Sequence, residues 1–128
     1  MRLLLDTHTL LWAMRDHPNL SPRAGSAIAD LANDCWVSVA SIWEAATKHR
    51  SGKLPEAAPL VADPARVLSQ MGFKTLPLQI DHARLAGSIV SSHKDPFDRM
   101  LAAQALLEGL TLVSRDEIFD TMLAPRLW

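Results

Sequence analysis

The stretch Arg2-Leu3-Leu4-Leu5-Asp6 opens with three consecutive leucines closed by a carboxylate. An unbroken apolar run of this kind marks a strand buried on both faces, and the polar residue after it marks the strand's carboxyl end. Working outward, Thr9 to Arg15 carries Leu10, Leu11 and Met14 at helical spacing until Pro18-Asn19 breaks the pattern. Ser21-Pro22 supplies a cap and a first-turn proline for an alanine-rich helix reaching about Asn33. Cys35 to Val39 reads as a second strand, and Ser41-Ile42-Trp43-Glu44 has the capping-box pattern of a helix that ends at Gly52. Pro55 to Pro59 reads as a loop.

Asp63-Pro64 opens a further helix that stops at Gly72, and Phe73 to Leu78 reads as a third strand with Pro77 near its end. Asp81 starts a helix through about Val90. Asp95-Pro96 starts the strongest one, with Phe97, Met100, Leu101, Ala105 and Leu107 mostly on one stripe and Gly109 as its stop. Leu110 to Ser114 is the fourth strand; a short helix over Glu117 to Met122 leads to an apolar end at Trp128. Strands alternating with helices predict an α/β fold whose central parallel sheet of four to five strands has helices on both faces. A hydrophobic content of 48% over 128 residues is enough to core a single domain spanning the chain.

The lone Cys35 excludes an internal disulfide and a thiolate metal site. Three leucines before Asp6 are too few for a signal-peptide core or a membrane span, so a soluble cytoplasmic protein without membrane contact or organic cofactor is expected. The net charge of −1 argues at face value against a nucleic-acid partner. If cations neutralise four of the acids, however, the 13 basic residues outnumber the acids that remain.

Four acids fall where strands end and helices begin: Asp6 after the first strand, Glu44 in the first turn after the second, Asp98 in the first turn of the strongest helix, and Asp116 just after the fourth strand. In open α/β sheets these places converge on the edge that binds ligands. Glu44, Asp98 and Asp116 each also read as local helix caps or first-turn acids, whereas Asp6, straight after buried leucines, has no evident local purpose. Carboxylates gathered ~6 Å apart repel by about 3 kcal/mol per pair at an effective dielectric near 20. Hard divalent cations relieve that repulsion at neutral pH, and an all-oxygen donor set selects Mg²⁺ or Mn²⁺, ions suited to phosphodiester hydrolysis.

Around these acids, Thr7 and Ser114 read equally as supports for a carboxylate or metal-bound water and as local caps. Arg99 and Arg115, each beside an acid, read as phosphate contacts or as partners in structural salt bridges. Lys48, His49, Arg50 and Lys53 form the one basic run, by default a solvated face. His8 and His93 read as hydrogen-bonded structural residues, Asp95 as the cap before Pro96, and Trp12, Trp36 and Trp43 as core or interface packing.

Four segments carry a family resemblance: Leu4-Leu5-Asp6-Thr7-His8; Ser41 to Lys48 with the later Gly52-Lys53-Leu54; His93-Lys94-Asp95-Pro96-Phe97-Asp98-Arg99 continuing to Ala105; and Leu112-Val113-Ser114-Arg115-Asp116-Glu117-Ile118-Phe119. In this order, over nearly the whole chain, they resemble the PIN-domain family, specifically VapC-type toxins of bacterial toxin–antitoxin pairs. The resemblance implies a three-layer α/β/α PIN-like fold and a metal-dependent endoribonuclease. It implies that Asp6, Glu44, Asp98 and Asp116 are the catalytic acids, with Asp6 and Asp98, joined by Asp116, holding Mg²⁺ or Mn²⁺. It further implies RNA as substrate, a cognate antitoxin that blocks the site, and a homodimer. The chain departs from the pattern in one respect: relatives commonly carry an aromatic, often tyrosine, shortly after the phenylalanine of the last motif, whereas Phe119-Asp120-Thr121-Met122 stands here and the chain has no tyrosine.

Two other classes fit an acid-rich doubly wound domain. A receiver-like signalling domain needs an acceptor aspartate after the third strand and a late lysine; Gln79 follows Leu78-containing strand residues and no lysine follows Lys94. An aspartyl-nucleophile phosphatase needs a second aspartate two residues after Asp6, where His8 stands. A catalytically idle RNA- or protein-binding module is the remaining alternative, distinguished by binding that survives chelation.

Overall fold

The structure, a computed structural model, describes residues 1–128. Strand β1 (Arg2–Leu5) leads through helices α1 (Thr7–Met14) and α2 (Pro22–Ala29) to β2 (Asp34–Ser38). The chain continues through α3 (Val39–Arg50), a 3₁₀ turn (Pro55–Ala57), α4 (Ala58–Ala62) and α5 (Pro64–Met71) to β3 (Lys74–Leu76). Helices α6 (Ile80–Ser88) and α7 (Pro96–Glu108) then return it to β4 (Thr111–Val113), and a second 3₁₀ segment (Glu117–Met122) precedes β5 (Arg126–Leu127). The five strands lie in the order β3-β2-β1-β4-β5 with every pairing parallel.

The three leucines of β1 show why this is a three-layer fold. Successive strand residues face opposite sides of a sheet, and all three leucines are fully buried, so β1 needs cover on both faces. Leu3 and Leu5 pack with Cys35, Val37 and Val113 against Leu10, Ala24, Ala45, Leu60 and Leu68 from α1 to α5. Leu4 faces the other way, with Leu112 and Leu76, against Leu101 and Ala105 of α7. Phe119 and Met122, both buried, belong to this second core, so methionine packs the segment that lacks tyrosine.

Several elements differ from the sequence-based expectation. Helix α1 begins at Thr7, two residues early, because Asp6 caps it. Helix α2 stops at Ala29; the following turn is closed by Asp30, whose carboxylate accepts the Ala32 N–H, and by Asn33, which donates to the Ala27 carbonyl. Helix α3 is capped by Ser38, so the expected capping box of Ser41 and Glu44 does not form and Ser41 is buried within the helix's first turn. The expected loop at residues 55–59 is helical. The apolar C-terminus supplies the fifth strand: Leu112 N–H donates to the Pro125 carbonyl and Ser114 N–H to that of Leu127.

Truncating a side chain in either core should cost far more than truncating an exposed one. Leu4→Ala is expected to lower unfolding free energy by about 2–5 kcal/mol, and Leu31→Ala, at a fully exposed position, by no more than about 0.5 kcal/mol. Urea unfolding of both variants measures the difference; similar losses would contradict the two-faced burial of β1.

Candidate active site

The sheet order fixes where a site can form. From β1 the chain moves outward to β2 and β3, then crosses back to enter β4 on the other side of β1. The connections leaving the carboxyl ends of β1 and β4 therefore diverge and leave a crevice between them, the switch point of a doubly wound sheet. Asp6 follows β1 there, and Ser114, Arg115 and Asp116 follow β4.

Asp6 is anchored by both its backbone and its side chain. Its N–H donates to the Val113 carbonyl, extending the β1–β4 ladder, and its Oδ1 accepts the Thr9 N–H at 2.7 Å. The Thr9 hydroxyl donates to the same Val113 carbonyl at 2.8 Å, so the first turn of α1 is tied to β4. Asp6 thus has a local purpose after all, as the cap of α1, contrary to the expectation that it had none. Burial pushes its carboxyl above the ordinary range, while hydrogen bonds from Ser114 and Thr9 offset part of that rise.

Glu44 lies in the second turn of α3 because Ser38 sets the start of the helix. The residue is only about 4% exposed yet its carboxylate is satisfied on both oxygens: the Thr7 hydroxyl donates to Oε1, and Lys48, one turn along, pairs with Oε2. Asp98 stands in the first turn of α7, where Asp95 caps the helix by accepting the Phe97 and Asp98 N–H groups. Burial raises the Asp98 carboxyl to about 6, the nearby Asp95 and Glu44 charges add to that, and His93 Nε2, 2.8 Å from Oδ2, opposes it. Asp116 is exposed at the rim, with its Oδ1 accepting the Ile118 N–H and its own N–H donating to the Ser114 hydroxyl.

All four acids line one cleft of about 340 Å³, and Asp95 joins them as a fifth. Lys48 and Arg115 are its cations, and Trp12 is part of its wall. Thr7 reaches the site by donating its hydroxyl to Glu44, whereas the Ser114 hydroxyl accepts the Asp116 N–H, as a local cap does, and also sits against the Asp6 carboxyl, whose rise it offsets. Arg99 does not fit either reading offered for it. Its guanidinium donates to the carbonyls of Ala86, Ile89, Ser91 and His93, clamping the segment that carries His93, and it makes neither a carboxylate pair nor a contact with the cleft. The cleft also draws in Lys48 and Asp95, which the sequence places only in a basic run and as a helix cap; the i, i+4 spacing of Glu44 and Lys48 is the signal that points to the first.

A family profile described as the PIN domain matches residues 3–122. The chain belongs to the PIN-domain family. This is a family of nucleases that generally use divalent metals. Among curated proteins, none matches the chain by sequence. Among solved structures, this PIN domain is similar to VapBC2 from Rickettsia felis bound to a DNA fragment from their promoter, at 17% identity and a TM-score of 0.69 over 100% of this chain and 98% of that one. FitAcB from Neisseria gonorrhoeae is similar at 18% identity and a TM-score of 0.64, covering 98% and 96%. PAE2754 from Pyrobaculum aerophilum follows at 21% identity and 0.52, covering 98% and 87%. At these identities the likeness is one of fold.

The donor set of this PIN domain suits a hard divalent cation. Carboxylate oxygens dominate the cleft, Lys48 and His93 each pair with one of them, and burial pushes the carboxyls of Asp6 and Asp98 upward. His93, Asp95 and Asp98 also offer ligand atoms that lie within 4.8 Å of one another.

The Asp98 shift has a testable sign. Because its folded-state value of about 6 exceeds the ordinary 3.8, the folded state holds this proton more tightly than the unfolded chain does. The stabilisation is therefore complete below pH 3.8 and is lost as pH rises through about 6. In chelator, Asp98→Asn should become progressively more stable than the parent as pH rises from 5 to 7.5, and added Mg²⁺ at the upper pH should stabilise the parent more than the variant. Thermal melts across this range would show a constant difference if the Asp98 environment were otherwise.

Proposed function

We propose that this chain is a metal-dependent endoribonuclease of the VapC toxin type, and that residues 1–128 act as one domain. The observation that carries the reading is the meeting of four carboxylates, from four separate segments, in a single cleft at the sheet's switch point. Membership of a nuclease family and an oxygen-rich donor set support it.

In this reading Asp6, Asp98 and Asp116 hold Mg²⁺ or Mn²⁺, and Glu44 completes the catalytic set. The bound ion supplies an activated water and Lewis-acid stabilisation of the attacked phosphate and the leaving oxygen. The chain's own contribution is positioning. Asp6 is fixed by its capping bond to Thr9, and Asp98 is steered by His93, which Arg99 holds in place through the backbone. Glu44 is pinned in the cleft wall by Thr7 and Lys48. Asp116 closes the set from the loop after β4.

The fold likeness to VapBC2 and FitAcB supports a cognate antitoxin as partner, and the reading includes a homodimer. No helix is long and apolar enough to cross a membrane, and the reading places the protein in the cytoplasm. Coexpression with the product of a neighbouring short gene should yield a stable complex that does not cleave RNA.

Purified protein should degrade RNA in Mg²⁺ or Mn²⁺, lose activity in chelator, and regain it when metal is restored. Asp6→Asn tests the site cleanly, because asparagine is as good a helix cap as aspartate and the fold should persist. Cleavage is expected to fall by at least roughly 10²–10³-fold, the scale of losing a charge-stabilising group at a reacting centre. Circular dichroism confirms folding and gel assay of total RNA reads activity; a folded variant that cuts at the parental rate would sink the nuclease reading.

A further inference from the structure

The cleft carries a cation that none of its acids engages. Arg115 is exposed, and its Cζ lies 4.8 Å from the centre of the Trp12 ring, over the indole. Five carboxylates line the same cleft, yet none pairs with this guanidinium. It donates no hydrogen bond either, in contrast to Arg99, which donates four. The other cation in the cleft, Lys48, is committed to Glu44.

Trp12 is a firm support for such a side chain. It is half-buried on α1, with His17 stacked against it at 6.1 Å, Trp128 at 5.9 Å and His8 at 5.8 Å between ring centroids. The backbone beneath Arg115 is equally fixed, since the preceding Ser114 N–H bonds to the Leu127 carbonyl in the β4–β5 ladder. A guanidinium resting over an aromatic face is oriented by it without spending its N–H groups. Those groups form a planar fork that matches the oxygens of a phosphate. A positioned arginine with all its donors free, directly preceding Asp116 in the chain and lining the same cleft, is therefore a built anion contact.

We propose that Arg115, held on Trp12, binds a backbone phosphate of the nucleic-acid strand next to the phosphodiester that is cut. The assignment rests on the nuclease reading above and adds the means by which the strand is held. Contact with a phosphate is indifferent to the sugar, so RNA and DNA strands of one sequence should feel the loss of Arg115 equally. His8, exposed on the same cleft, flanks the contact without replacing its fork.

The test separates holding the strand from cutting it. A short fluorescent single-stranded RNA and its DNA counterpart are titrated, in Mg²⁺ and over a series of salt concentrations, with Asp98→Asn protein that carries either Arg115 or Arg115→Ala. Removing Arg115 should weaken binding about tenfold at low salt and lower the slope of log affinity against log salt by about 0.7 for both strands. Arg115→Lys should recover part of the affinity, as a point charge without the fork. In otherwise wild-type protein, Arg115→Ala should raise KM more than it lowers kcat, and calorimetric Mg²⁺ affinity should not weaken, since the acids are untouched. Unchanged binding and slope, a loss confined to RNA, weakened Mg²⁺ affinity, or no binding by either protein would each overturn the assignment. Failure of the wild-type protein to cleave RNA would count against the nuclease reading instead, and is scored in a separate assay.

Discussion

The junction between Leu5 and Asp6 is the point on which the rest of the structure depends. Up to Leu5 the chain is buried on both faces of a parallel sheet, and at Asp6 it leaves the sheet to start a helix. A helix start needs acceptors for its free N–H groups, and the Asp6 carboxylate provides one. The same residue continues the ladder to β4 through its backbone. One aspartate thus ends a strand, begins a helix and stands at the crevice between diverging connections. Structural capping and a place in the acid cluster are not competing explanations here, because the geometry that requires the cap is the geometry that sets the carboxylate in the cleft wall.

The same double duty recurs elsewhere in the cleft with different partners. Asp95 caps α7 and, by its charge, helps to raise the neighbouring Asp98 carboxyl. Asp116 caps the second 3₁₀ segment from the cleft rim. Glu44 is the exception: it caps nothing, and its burial is sustained by a hydroxyl and an ammonium group. A buried carboxylate needs such partners, since losing either would leave an unsatisfied oxygen away from water. The arrangement couples α1 to α3, for Thr7 belongs to one and Glu44 and Lys48 to the other.

Much of the fold was legible in the sequence because the signals were local and mutually consistent. The leucine run of β1, the Ser21-Pro22 and Asp95-Pro96 helix starts, and the glycines after α5 and α7 read correctly. Gly72 and Gly109 adopt left-handed backbone conformations there, as helix-ending glycines do. What failed depended on distant partners. Ser38 and Ser41 are equally good caps on paper, and Ser38 prevails because β2 ends there. The two residues of β5 are too few to show a pattern and are defined by their bonds to β4. The convergence of the acids followed from strand ends alone. The fate of the arginines did not, because the Arg99 carbonyls and the Trp12 beneath Arg115 are brought together only by the finished fold.

The position of Glu44 inside a helix has a consequence for how such a chain tolerates changes in length. Each residue added between Ser38 and Glu44 would swing the carboxylate by about 100° around the α3 axis, carrying it out of reach of Thr7. The connection from α1 to α2, by contrast, runs outside the sheet with exposed residues such as Arg15, Asp16 and Asn19, and none of the four acids is attached to it. Insertions and deletions among variants of this chain should therefore collect in that outer connection and be absent from the first turns of α3.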